Sequence, residues 1–267
     1  MLISIIGCGS IASGLCKGIS KGDAGNVKVV GLYDKSREKA EALAKACGAR
    51  AVATVDELTS DPSVTLVVEA ASQTAVNQHA ESVLRSGKDL VVLSVGALVG
   101  GRAQELARLA ESHGRRVFVP SGAMVGIDGL KASSTMGLSS VEVEFRKPPS
   151  HFKENLGDFV DDPSSIKTAR TIFEGTATEA VRRFPRSVNV SVTAGLAGVG
   201  PERTKVRMVA DPSVDRNLIT LKVSGPAGEI TAQTANTLTP GLGTSYLTIA
   251  SVLSLLKDLS RSLVIGS

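Results

Sequence analysis

The stretch Leu2-Ile3-Ser4-Ile5-Ile6-Gly7-Cys8-Gly9-Ser10-Ile11-Ala12 sets a short apolar run against two closely spaced glycines and the opening of a helix. A G-x-G-x-x-A pattern gains its meaning from that strand-to-helix setting. Gly7 makes the tight turn, Gly9 lets a pyrophosphate come up to the backbone, and small Ala12 lets the helix lie close to the strand. Ser10 and Ile11 then begin a helix whose N-terminus offers aligned N–H donors to an anion. Asp34 ends a second apolar run, 25 residues after Gly9, near the expected spacing of about 20 for a carboxylate that accepts the adenosine ribose hydroxyls. Its charge favours NAD by repelling a 2′-phosphate, whereas Lys35, Ser36 and Arg37 directly after it can accept that phosphate, so NADP stays open.

Outward from this segment, strand-like runs at Val27 to Tyr33, Thr65 to Glu69, Asp89 to Ser94 and Arg116 to Val119 alternate with helical patterns. Ser36 to Ala46, Thr74 to Ser86 and Gly101 to His113 carry Ala and Leu at helical spacing, and Gly114 supplies a stop. Uninterrupted apolar strands alternating with helices imply a Rossmann-type parallel sheet with helices on both faces. After Pro120 the pattern shifts to longer alternating runs at Val141 to Arg146, Val188 to Ala194, Thr204 to Val209 and Asn217 to Val223, which predicts a second α+β lobe with a largely antiparallel sheet. Tyr246 to Ile265 has helical Leu and Val spacing. The expected division is a dinucleotide-binding domain at residues 1–122, a substrate and oligomerisation domain at 123–240, and a C-terminal helix within 241–267 that packs back on the first domain.

The chain has 267 residues, enough for two lobes with real cores. Hydrophobic residues make up 42% and charged residues 21%, which argues against extensive disorder, while 3% aromatics and no Trp leave little for base stacking or a membrane belt. The net charge of +4 is spread along the chain rather than clustered, so no nucleic-acid face is expected. Cys8, Cys16 and Cys47 form an odd set without C-x-x-C spacing, against both a disulfide framework and a zinc site and in keeping with a reduced cytoplasm. The opening apolar run is too short for a membrane span and reads as a strand rather than a signal peptide.

At Glu69-Ala70-Ala71-Ser72-Gln73, Leu93-Ser94-Val95-Gly96-Ala97, Pro120-Ser121-Gly122-Ala123 and Gly126-Ile127-Asp128 the chain resembles the L-aspartate dehydrogenase family. Further matches in family order are Arg146-Lys147-Pro148-Pro149, Phe173 to Ala177, Phe184-Pro185, Val188-Asn189-Val190, Ala210-Asp211-Pro212, Gly225 to Glu229 and Thr244-Ser245, so the resemblance spans nearly the whole chain. It implies a homo-oligomer, read as a dimer, that uses NAD or NADP to interconvert L-aspartate and iminosuccinate. Iminosuccinate hydrolyses to oxaloacetate and ammonia and can feed NAD biosynthesis. Such chemistry needs a nicotinamide beside the substrate α-carbon, partners for two carboxylates and a proton handler. Ala71, Ser72, Gln73, Ser94 and Gly96 would line the carboxyl edge of the sheet. By resemblance, Ala123 and Asn189 would touch the nicotinamide half of the cofactor.

Two departures accompany the resemblance. In the family a His follows two positions after an Asn that corresponds to Asn217; here that place is Ile219, and an aliphatic side chain transfers no proton. Where the family reads Asn-Pro-Lys before Thr-Ser, this chain has Gly241-Leu242-Gly243. His151, just after Arg146-Lys147-Pro148-Pro149, is a candidate substitute carried by a loop, and Lys147 is a candidate for steering a substrate carboxylate. His79 and His113 read as surface residues of helices. Three readings follow: an aspartate dehydrogenase, a reductase of another imino or keto acid, and a catalytically silent dinucleotide-binding sensor.

Overall fold

The computed structural model describes residues 1–152, 165–185, 188–237 and 244–266. Contacts divide it into two compact units, one comprising Met1–Gly122, Thr244 and Thr248–Ile265, the other the described residues of 123–240 with Ser245–Leu247 and Gly266.

In the first unit β1 (Leu2–Ile6), α1 (Ser10–Ser20), β2 (Lys28–Tyr33), α2 (Arg37–Cys47), β3 (Arg50–Ala51), α3 (Val55–Thr59), β4 (Leu66–Glu69), α4 (Gln73–Arg85), β5 (Asp89–Val92), α5 (Arg102–Ser112) and β6 (Val117–Phe118) follow in order. The strands pair in parallel as β3-β2-β1-β4-β5-β6, which is the doubly wound order that reverses direction between β1 and β4. The helices start where short polar side chains can take the free N–H groups: Ser36 accepts from Lys39, Thr54 from Glu57 and Ser72 from Ala75. Ile3, Ile5, Leu32, Leu66, Val68 and Val91 of the sheet pack with Leu15 of α1 and with Ile249, Val252 and Leu256 of the C-terminal helix α9 (Tyr246–Asp258). Gly14 and Gly18 of α1 face Ile249 and Leu253 so closely that a Cβ at either glycine would collide with them. With almost no aromatics, this core reaches its density through close helix approach and branched aliphatic side chains.

The second unit contains α6 (Ile127–Ser134), β7 (Ser140–Lys147), β8 (Arg170–Thr176), α7 (Ala177–Arg183), α8 (Asn189–Ala197), β9 (Lys205–Ala210), β10 (Asn217–Gly225) and β11 (Gly228–Asn236). Its sheet runs β11-β10-β7-β9-β8; all neighbours are antiparallel except β7 with β9. Strand β7 alternates cleanly, with Val141, Val143, Phe145 and Lys147 on the covered face.

Two expectations are corrected here. The run Val188 to Ala194 alternates like a strand yet forms α8, because Val188 and Val192, four residues apart, are both fully buried and the helical period serves that burial equally well. The helical pattern of Tyr246 to Ile265 ends at Asp258, and Leu263, Val264 and Ile265 are exposed. Gly241-Leu242-Gly243 lies outside the described residues. Among the described residues no helix is long and apolar enough to cross a membrane.

Candidate active site

The glycine turn after β1 is built as its residue types require. Gly7 sits at φ +97°, where a Cβ would also come within 2.7 Å of the Ala70 carbonyl oxygen, and its N–H donates to the Tyr33 carbonyl at 2.7 Å. Gly9 differs: a Cβ there would meet nothing within 4 Å, so its lack of a side chain serves no contact within the fold and keeps the backbone open to a ligand. Gly9 is the N-cap of α1 and has no capping side chain, which leaves the N–H groups of Ser10, Ile11 and Ala12 without the usual protein acceptor. Asp34 ties the second strand to this turn; one carboxylate oxygen accepts from the Cys8 N–H and the other from the Ser36 N–H, both at 2.8 Å. These groups fit a dinucleotide: an open, dipole-aligned turn for the pyrophosphate and a carboxylate with spare lone pairs for ribose hydroxyls. Burial, with the Asp34 charge next, pushes the Cys8 thiol up to about 12, so it is a packing residue rather than a nucleophile.

Across the switch point, the ends of β4 and β5 are joined through one residue that the sequence reading passed over. Glu69 is 2% exposed, and its carboxylate accepts from the N–H groups of Ala71 (2.8 Å), Leu93 (3.2 Å) and Ser94 (3.0 Å) and from the Ser94 hydroxyl (2.8 Å). Burial pushes its pKa up while these four donors pull against it. Glu69 therefore sets the positions of Ala71 and Ser94. Ser72 caps α4, which Gln73 begins, and Gly96 lies in the buried 3-10 turn Val95–Leu98. An acid closing an otherwise apolar strand was the signal available for Glu69.

In the second unit the Ala123 carbonyl accepts from the Thr234 hydroxyl and from Asn236 Nδ2, each at 3.1 Å. Asn236 is itself held by the Ser245 hydroxyl at 2.8 Å, which draws Ser245 into the same network. Asn189 is the first residue of α8. Ile219 pairs with Phe145 on one side and Thr234 on the other, on the covered face, and is 7% exposed. Arg146, on the opposite face, is taken by Asp211 (2.6 Å) and Glu144 (3.1 Å). His151, in the 3-10 turn Pro149–Phe152, donates through Nδ1 to Asn217 Oδ1 at 3.0 Å, so it stands beside the strand that carries Ile219. Lys147 is 7% exposed, with its ammonium 5.9 Å from the Phe145 ring centroid and 5.3 Å from that of Phe152.

With this geometry in view, a family model described as aspartate dehydrogenase, C-terminal, matches residues 128–259, and one described as homoserine dehydrogenase, NAD binding domain, matches residues 7–120. The chain is 40% identical to an L-aspartate dehydrogenase of Methanosarcina mazei and 39% identical to one of Methanothermobacter thermautotrophicus, covering 99% and 100% of this chain respectively and 99% of each relative. The chain belongs to the L-aspartate dehydrogenase family. A crystal structure of aspartate dehydrogenase from Thermotoga maritima superposes with a TM-score of 0.79 at 28% identity, covering 100% of this chain and 99% of that one. Within this family framework the first unit is a Rossmann-type dinucleotide-binding fold with Gly7, Gly9, Ala12 and Asp34 brought together at one end of β1 and β2. The second unit joins Ala123, Thr234, Asn236 and Ser245 through one hydrogen-bond network and sets Ile219 beside Thr234.

Proposed function

We propose that the protein is an NAD(P)-dependent oxidoreductase that interconverts L-aspartate and iminosuccinate, the latter passing by hydrolysis to oxaloacetate and ammonia. The observation that carries this reading is the open turn at Gly9, tied by Asp34 to the second strand, in a chain that matches aspartate dehydrogenases end to end. Bound NAD(P) supplies the hydride acceptor or donor. Gly9, Ser10, Ile11 and Ala12 take the pyrophosphate, and Asp34 takes the adenosine ribose and favours NAD. Ala71, Ser72, Gln73, Ser94 and Gly96 line the cofactor, with Glu69 fixing two of them, and Ala123 and Asn189 serve the nicotinamide half. In the oxidative direction the α-ammonium first gives up a proton; the α-hydrogen then leaves with its electron pair as the C=N bond forms. We further assign it a cytoplasmic homodimer in keeping with its three free cysteines, and a place feeding NAD biosynthesis.

Ile219 favours a second reading, a reductase of another imino or keto acid or a silent sensor of the dinucleotide pool, since a positioned acid–base group is worth roughly 10²–10⁴ in rate. Titration with NADH and NADPH followed by initial rates with L-aspartate and NAD(P) separates them. Turnover supports the first reading, whereas tight cofactor binding without turnover supports the second.

A further inference from the structure

The two buried lysines of the described residues are treated differently by the fold. Lys88 is 6% exposed and donates to the Asp61 carbonyl at 2.8 Å. Lys147 occupies the fourth inward slot of β7, after Val141, Val143 and Phe145, where an apolar residue would complete the pattern. Its ammonium lies against two aromatic rings, yet it makes no hydrogen bond or ion pair among the described residues. Its neighbour Arg146 is already matched by Asp211 and Glu144, so Lys147 is the cation of this pair with donors to spare. A buried ammonium without an anion is costly, and the aromatic faces offset only part of that cost.

The position is informative as well. Ile219, at the family's histidine position, is the direct cross-strand partner of Phe145, and Lys147 is the next residue on the same face of β7. The chemistry that suits an ammonium with N–H donors to spare beside two aromatic rings is a carboxylate, because its bonds to a cation are charge-assisted and stronger than neutral ones.

We propose that Lys147 is the receptor for a substrate carboxylate and so helps to select a dicarboxylic amino or imino acid; the inference rests on the aspartate dehydrogenase reading above. Burial alone pulls the Lys147 pKa down to about 8, which leaves it charged at neutral pH. Among the described residues, the titratable groups on the elements next to it are His151 on the following turn and Asp211 after β9, whose N–H donates to the Lys147 carbonyl; Asp211 is held by Arg146 and Ser213. A carboxylate bound to Lys147 raises its pKa again, so binding above pH 8 takes up a proton.

The test is equilibrium binding of succinate, a dicarboxylate that cannot be oxidised at a C–N bond, to the NADH-saturated protein. Lys147→Met should weaken succinate binding roughly 10- to 100-fold, the range of a lost charge-assisted hydrogen bond. NADH affinity should stay within about twofold, and the melting temperature should not fall, as it would if the lysine were a structural tie. Unchanged succinate affinity in Lys147→Met overturns the proposal, and so does a wild-type protein that binds no succinate. Should Lys147→Met fail to fold, Lys147→Gln takes its place: a loss of succinate affinity of roughly tenfold or more supports the receptor, and unchanged affinity overturns it. Turnover with oxaloacetate and ammonia is measured separately. Lys147-dependent succinate binding without turnover defeats only the dehydrogenase reading, and turnover with Lys147-independent binding defeats only this one.

Discussion

Ile219 lies directly opposite Thr234 in the β10–β11 pair, and the Thr234 hydroxyl donates to the Ala123 carbonyl at 3.1 Å. An imidazole at position 219 would therefore stand about one cross-strand spacing from the group that anchors Ala123. Ile219→His should raise the rate of L-aspartate oxidation at least tenfold, within the roughly 10²–10⁴ that a positioned acid–base group contributes. Initial rates at saturating NAD(P) check this, and no gain would show that the proton is handled elsewhere.

Gly9 and Gly7 should fail in different ways. Gly9→Val adds a side chain into space free of protein atoms, so the melting temperature should hold while NADH affinity falls by at least tenfold. Gly7→Ala places a Cβ at φ +97° against the Ala70 carbonyl, and should cost about 1–3 kcal/mol of stability. Thermal melts alongside a fluorescence titration with NADH separate the two effects.

Glu69→Gln exchanges an acceptor of four donors for a side chain with one acceptor oxygen and an NH₂ that faces N–H groups. A loss of about 1–3 kcal/mol is expected, with weaker cofactor binding as Ala71 and Ser94 lose their common anchor. Denaturant unfolding and NADH titration measure both, and wild-type values for each would show that Glu69 positions nothing.

The lysine at 147 predicts a stability change of unusual sign. Its pKa drops from 10.5 to about 8, so the folded state disfavours the charge. Below about pH 8 both states hold the proton and the full cost, up to about 3 kcal/mol, is present. Between about pH 8 and 10.5 the folded protein has released the proton while the unfolded chain keeps it, and stability rises with pH. Lys147→Met should thus stabilise the protein by about 1–3 kcal/mol at pH 7, with the gap closing toward pH 10. Urea unfolding at pH 7 and pH 9.5 tests the trend.

What could be read in advance was what is local. The strand, the glycines, the helix start and Asp34 lie close along the chain, and the parallel sheet follows from alternating apolar strands and helices; residue type and spacing sufficed. Val188 to Ala194 was misleading because period two and an i, i+4 pair coexist in the same seven residues, and only the packing of Val188 and Val192 chooses between them. Lys147 could already be singled out for a substrate carboxylate, whereas the role of Glu69 depends on Leu93 and Ser94, more than 20 residues away, which a window of sequence does not contain. Strands β8 and β11 were not anticipated, since β11 alternates exposed and half-buried residues with little apolar content.

The most direct test of the proposed activity is to load the purified protein with NADH or NADPH, add oxaloacetate with ammonia, and follow oxidation of the bound cofactor. Oxidation that requires both additions and yields L-aspartate is the predicted result. Cofactor that binds tightly yet stays reduced in the presence of both would contradict it.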